Sequence, residues 1–272
     1  MLKGFNPLSS QLRFLLPLLM LFFLTFAWLT PVFAADCGSA LFGWTMADGR
    51  HVGGTLQNEG GWVNNPRDTG KETYKGIARK FNPKWAGWAI IDAEKAELGK
   101  QPRFGIKAYR SYAKRLNTFL AANATLQKLV VARYHANEWA EILGDDWEGM
   151  YLPYKAFDVG VNCGEGSAAL CLIDTVNDLN GDASDFKRET KVTLALVTWI
   201  NAYTKDDILP LDFKPRYPGD PGKPGGKDST RRKLFITKFK EKVELHYGKV
   251  ILHDPKKLAW KWVWDRRLYE DE

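Results

Sequence analysis

The chain has little sulfur or imidazole chemistry to offer. Three cysteines, Cys37, Cys163 and Cys171, stand in 272 residues, and no two have metal-ligand spacing. The four histidines, at 51, 135, 246 and 253, are scattered, so neither a structural zinc nor any other cofactor is expected. No internal repeat is visible. No helix-turn-helix, RNP or zinc-finger signature is present either, which removes the usual routes to a nucleic-acid partner. At 45% hydrophobic and 26% charged the composition excludes a disordered, collagen-like or disulfide-dense chain.

What is present begins with one apolar run, at 14–30. Lys3 and Arg13 are the only charges in the first 34 residues, and Val32-Phe33-Ala34 sets small residues where a signal peptidase reads. This predicts a secretory signal peptide at 1–34 and an exported protein, periplasmic or secreted. An uncleaved signal anchor is the alternative, and the only expected membrane contact, since about 17 apolar residues lie at the short limit for a span. Export permits a disulfide. If one helix holds both Cys163 and Cys171, they lie about 12 Å apart, beyond the ~7 Å reach of a bridge. Any bridge is then Cys37 with Cys163 or Cys171, and no bridge at all is an equal alternative.

The formal charge of +7 suggests a polyanionic partner, but it is unevenly spread. Residues 35–115 carry 14 basic and 8 acidic side chains, whereas 116–213 carry 7 and 15. Residues 214–233, with four Pro, four Gly and no aliphatic residue, carry 7 and 2 and read as a basic linker. A basic half and a basic linker suit an anionic wall polymer. The tail, 234–272, is nearly balanced. In it Trp260, Trp262 and Trp264 alternate with other residues, which predicts a short strand with one aromatic face.

Elsewhere the spacing is helical. Apolar residues recur at intervals of three and four from 120 to 143, again at Ala168, Leu172, Val176 and Leu179, and again at Val192, Leu196, Trp199, Ile200 and Tyr203. Val52 and Leu56 predict a helix that ends near Glu59, with Gly60-Gly61 as its stop. Between 60 and 77 the Gly, Asn, Pro and Asp cluster reads as a loop or small hairpin.

That stretch carries the chemistry. A glutamate at a helix C-terminus, covered by Trp62, is expected to hold its proton more tightly, as a general acid must. Lysozyme is the standard case of this pattern. Glycoside hydrolysis usually needs a second carboxylate. Asp68, on a polar loop, is the candidate, with the Thr73 hydroxyl to position water or sugar. The plain alternative is a solvated helix end beside an Asp-Thr-Gly turn.

The stretch also resembles the signature of glycoside hydrolase family 108, E-G-G-[YW]-V-N-[DN]-P-x-D-x-G-G-x-T-x-x-G-I. Glu59, Gly60, Gly61, Trp62, Val63, Asn64, Asn65, Pro66, Asp68, Gly70, Thr73, Gly76 and Ile77 match it. Lys71 departs, standing where the family usually has a second glycine, and a lysine avoids positive φ, so the local shape around Asp68 is the point at issue. Residues 134–153 are similar to the family's next segment, and 157–164 to the opening of its peptidoglycan-binding part, though the D-G-x-x-G-P-x-T element expected later is not evident. From the residues alone, Asp158 and Asn162 are read as capping or cross-linking helices.

The resemblance implies a mainly helical, lysozyme-like fold: a catalytic lobe at 35–150 with a small hairpin at the active site, and a second helical lobe at 151–213. It implies a muramidase that cuts peptidoglycan between N-acetylmuramic acid and N-acetylglucosamine, with Glu59 as the acid and Asp68 and Thr73 as helpers. Trp62, Tyr74 and Asn64 are candidate sugar contacts. A lytic transglycosylase using Glu59 alone, and a wall-binding protein without catalysis, are the competing readings.

Overall fold

Apolar residues at helical spacing resolve into packed helices in the computed structural model, which describes residues 35–45, 51–52, 54–57, 59–181, 186–204 and 231–269. The expected signal segment and residues 214–230 of the expected linker lie outside the described residues. Among the described residues no helix is long and apolar enough to cross a membrane.

Helix α1 (Cys37–Phe42) starts at Asp36, whose carboxylate accepts the Gly38 and Ser39 N–H groups at 3.3 and 2.8 Å. Strands β1 (Trp44–Thr45) and β2 (His51–Val52) pair antiparallel. The helix expected before Glu59 is not there: Val52 is in β2, and only a 3-10 turn, Thr55–Gln57, follows. Gly54 explains the difference. Its backbone lies so close to that of Leu41 and Gly43 that a Cβ would overlap them, and the chain turns against α1 instead of winding onward.

The expected hairpin is present as a three-stranded antiparallel sheet, β3 (Trp62–Asn64), β4 (Glu72–Tyr74) and β5 (Ile77–Ala78). Trp62 stands opposite Tyr74, Val63 opposite Thr73 and Asn64 opposite Glu72. Strand alternation buries Glu72 and Tyr74 and leaves Thr73 on the other face.

Helices α2 (Gly87–Leu98), α3 (Lys107–Ala122) and α4 (Ala124–Tyr134) follow. The apolar stripe from 120 onward is cut at Asn123, which ends α3 and caps α4 by accepting the Leu126 N–H at 2.9 Å. A π-helical turn, His135–Trp139, continues α4. Helix α5 (Tyr151–Cys163) is buried from Leu152 through Gly160. Phe157, at its middle, meets Tyr134 and Trp139 edge-on at 6.0 and 5.5 Å. Helix α6 (Glu165–Asn180) packs between α5 and α8 (Arg231–His253), and α7 (Leu194–Thr204) also meets α8. The buried apolar residues of all these elements form one cluster, from Ala35 to Leu268.

Two expectations about the C-terminal region change. Arg231, Arg232 and Lys233 are not linker but the first turn of α8. The aromatic strand is instead helical: Asp254 caps a 3-10 turn with Pro255 at its start, and α9 (Lys261–Tyr269) follows. A spacing of two puts the three tryptophans on different sides of a helix. Trp264 packs on Tyr247 at 5.0 Å, while Trp260 and Trp262 are exposed.

Of the two alternatives left open for the cysteines, no bridge is the one found, since Cys37, Cys163 and Cys171 are all free. Gly164 separates α5 from α6, so Cys163 and Cys171 do not share a helix. Cys37 sits at the start of α1, among the charges of Asp36, Asp145 and Glu138, whereas Cys163 faces Arg267 and Asp158. Burial pushes the thiols of Cys37 and Cys171 up to about 12 and that of Cys163 up to about 11, which keeps all three unreactive.

Helices α6 and α8 are also joined by charge. Asp178 lies 3.1 Å from Lys242 and 3.5 Å from Lys238, and the hydrogen bond from Lys242 is the chief cause of a carboxyl held below its ordinary range. The group is 40% exposed, so the expected loss from Asp178→Asn at neutral pH is under about 1 kcal/mol. That loss is full above about pH 4, where the unfolded carboxylate is ionised, and disappears as pH falls through the lower folded value. Urea unfolding of both proteins across that range checks it. A difference undiminished in acid contradicts it.

Candidate active site

The site is built around two adjacent glycines with different duties. Gly60 takes φ +68°, the left-handed region that a side chain disfavours. Gly61 makes room: a Cβ there would run into the Asn117 side-chain amide. That amide accepts the Trp62 N–H and donates to the Trp62 carbonyl at 3.1 Å, so α3 acts as a partner for β3. The Glu-Gly-Gly sequence thus fixes how the hairpin leaves Glu59.

Glu59 lies at the bend before Gly60, with its side chain 20% exposed. Its Oε1 accepts a hydrogen bond from Arg267 Nη1 at 2.9 Å. Arg267, on α9, is 6% exposed, and its other edge grips Asp158 of α5: Nη2 to Oδ1 at 2.8 Å and Nε to Oδ2 at 3.3 Å. Burial opposes the charge on Arg267, but Asp158 and Glu59 outweigh it and raise its affinity for the proton, so the guanidinium stays charged. On the other side of Glu59, Oε2 approaches Gly76 in the β4–β5 turn, where a Cβ would sit 3.2 Å away. The same Cβ would overlap the hydroxyl of Tyr134, which donates to the Lys75 carbonyl at 2.8 Å. Burial foremost, then the negative charges of Glu59 and Glu138, keep that phenol neutral.

Asp68 and Thr73 meet at Gly70. A Cβ on Gly70 would lie 3.3 Å from Thr73 Oγ1 and 3.9 Å from Asp68 Oδ2. The turn is tied by Asp68 N–H to the Asn65 carbonyl and Lys71 N–H to the Asp68 carbonyl, each 3.1 Å. Lys71 resolves the question raised by its departure from the family pattern. It adopts φ +55° without a glycine, so the loop keeps a shape that costs a non-glycine residue about 1 kcal/mol.

Trp62 and Tyr74 are not sugar platforms. Both rings are buried, at 2% and 1% exposure. Trp62 packs against Tyr109 and Tyr112, and its indole N–H donates to Glu72 at 2.9 Å. The Tyr74 hydroxyl accepts from Gln127 at 3.0 Å. Asn64 is likewise engaged, its backbone N–H with the Tyr109 hydroxyl and its side-chain amide with Gln101. These residues hold the hairpin to α2, α3 and α4. Glu72 does the same: buried, it receives Trp62 and Lys95 and lies 2.9 Å from Arg79 Nε. Asn162 reaches Tyr247 at 3.4 Å, linking α5 to α8.

Beside the β4–β5 turn is a groove of about 530 Å³ lined by Phe42, Gln127, Lys128, Val131, Ala132 and His135. Lys75, next to Gly76, holds its ammonium 4.5 Å over the ring of Phe42, one of the residues lining the groove. Among the described residues no group of three or more His, Cys, Asp or Glu is placed to hold a metal ion.

Residues 52–164 match the family model described as Glycosyl hydrolase 108. Over those residues the chain carries a glycosyl hydrolase 108 domain. It is a glycoside hydrolase of the lysozyme type, mainly helical, and its substrate class is peptidoglycan. No curated protein and no solved structure matches it. The matched residues include Glu59, Asp68, Thr73, Tyr134 and Asp158. Arg267 lies beyond them. Sequence reasoning missed it because no local pattern links two residues 208 positions apart. Tyr134 had a signal, since it opens the second stretch that is similar to the family.

Two substitutions test this geometry. Gly76→Ala strains a positive φ and overlaps Tyr134, so it is expected to cost about 2–3 kcal/mol in urea unfolding and to reduce activity. A neutral effect on both contradicts the close approach. Lys71→Gly is expected to stabilise by up to about 1 kcal/mol, read the same way. A loss of stability shows that the lysine side chain contributes more than its backbone costs.

Proposed function

We propose that the protein is an exported muramidase that cleaves the glycan of peptidoglycan between N-acetylmuramic acid and N-acetylglucosamine, with Glu59 as general acid. The observation that carries this is the position of Glu59 within the matched residues: a partly exposed carboxyl whose Oε2 faces Gly76 in the β4–β5 turn. Glu59 gives its proton to the glycosidic oxygen as the C1–O bond breaks. Water then adds to C1 and loses a proton to a carboxylate.

Asp68 and Thr73 sit together at Gly70. In this reading the Asp68 carboxylate steadies the positive charge that develops on the sugar ring or orients the water, and the Thr73 hydroxyl positions it. Export rests on the apolar run at 14–30 and the Val-Phe-Ala end that follows it. A wall-binding contribution from the helical part at 151–213 belongs to the same proposal.

Purified peptidoglycan and a turbidity assay test it. Wild-type protein is expected to clear the suspension, and Glu59→Gln to lose at least about 100-fold while still binding wall. Products with reducing ends and added water are expected in the mass spectrum. Anhydro-sugar ends reveal a transglycosylase instead, and full activity in Asp68→Asn removes Asp68 from the mechanism. Binding without any clearance by wild type overturns the enzymatic reading.

A further inference from the structure

A carboxyl that donates a proton must first hold one, yet Glu59 sits beside a permanent cation. Arg267 is no incidental surface partner: its side chain is 6% exposed, and both of its carboxylate partners are largely buried. Its backbone is fixed as well, since Lys155 Nζ donates to its carbonyl at 3.1 Å. Leu268 beside it is buried and Trp264 packs on Tyr247, so α9 is held in place.

We propose that Arg267 is a positioning residue of the active site: it fixes the Glu59 carboxyl in place and divides its charge between Glu59 and Asp158, so that the pH range of activity depends on all three. This rests on the reading of Glu59 as the general acid. Two carboxylates around one guanidinium leave a net charge of −1 in a poorly solvated place, and one added proton neutralises it. Asp158 is held by two hydrogen bonds from the guanidinium and is 7% exposed, whereas Glu59 is held by one and is 20% exposed.

The surrounding groups leave this balance to the trio. Tyr134, facing from α4, is kept neutral by burial. Cys163 of α5 and Tyr247 of α8, which face Arg267 and Asp158, are also kept neutral, mainly by burial. Lys75 flanks Gly76, but its ammonium lies over Phe42, and burial lowers its proton affinity. Lys257 acts on the Cys163 side of the cluster. Arg267 is therefore the one cation among these described groups that bonds directly to Glu59.

The test is the pH profile of peptidoglycan clearance, with kcat and KM measured separately on a soluble glycan fragment. Arg267→Gln is expected to lower kcat about 10-fold with KM little changed, and to move the alkaline limb up by about one pH unit, because the proton no longer competes with a cation. Arg267→Lys restores part of that limb. Asp158→Asn moves it down, because an undivided Arg267 then serves Glu59 alone. Carbon-13 carboxyl NMR reads the Glu59 titration in the same variants without reference to activity. If wild type clears no wall, the functional reading fails, while the NMR shifts still decide the pairing. A Glu59 titration and pH profile that coincide with wild type in whichever of these variants fold overturn the proposal, even if Tm falls.

Discussion

One guanidinium shared between two carboxylates ties three distant parts of the chain together. Arg267 closes onto Asp158 with both atoms of one edge and reaches Glu59 with the other. Burial makes that arrangement demanding. A charge removed from water is tolerated only when its partners are in place, and breaking such a pair from one side leaves the other exposed to the full desolvation cost. The positions of α5, of α9 and of the bend at Glu59 are therefore mutually dependent. The apolar packing agrees with this, running as one cluster from α1 to Leu268.

Around that trio the backbone matters more than the side chains. Gly60 supplies a left-handed turn, Gly61 admits the Asn117 amide, and Gly76 admits both Tyr134 and Glu59. Each is a place where the chain needs an absence. The aromatic residues between them serve the opposite purpose. Trp62 and Tyr74 fill the space beneath the hairpin and spend their polar atoms on Glu72 and Gln127. The result is a short sheet whose inner face is locked and whose turns carry the chemistry.

Much of this was legible in the sequence, for local reasons. The hairpin follows from its turn residues, and α4, α6 and α7 follow from spacing, since both signals are contained within a few residues. The Glu-Gly-Gly signature led to the bend at Glu59 and, through Asp68 and Thr73, to the turn at Gly70. Where the reading failed, the cause was tertiary. Trp62 and Tyr74 have the composition of a sugar platform, but strand alternation turns them inward. Val52 and Leu56 have helical spacing, but Gly54 must lie on α1. The Trp260, Trp262 and Trp264 alternation fits a strand, but Asp254 and Pro255 start helical structure before it. Arg267 was invisible because an ion pair across 208 residues leaves no periodic trace.

That separation has a consequence for the order of events during synthesis. A ribosome that has just made Glu59 needs about 10–40 s more to reach Arg267 at ordinary rates. Within that interval the nascent chain gains its hairpin and then Asp158, but not the cation that joins them. The trio can therefore close only after α9 has been made. Maturation of the centre is tied to arrival of α9.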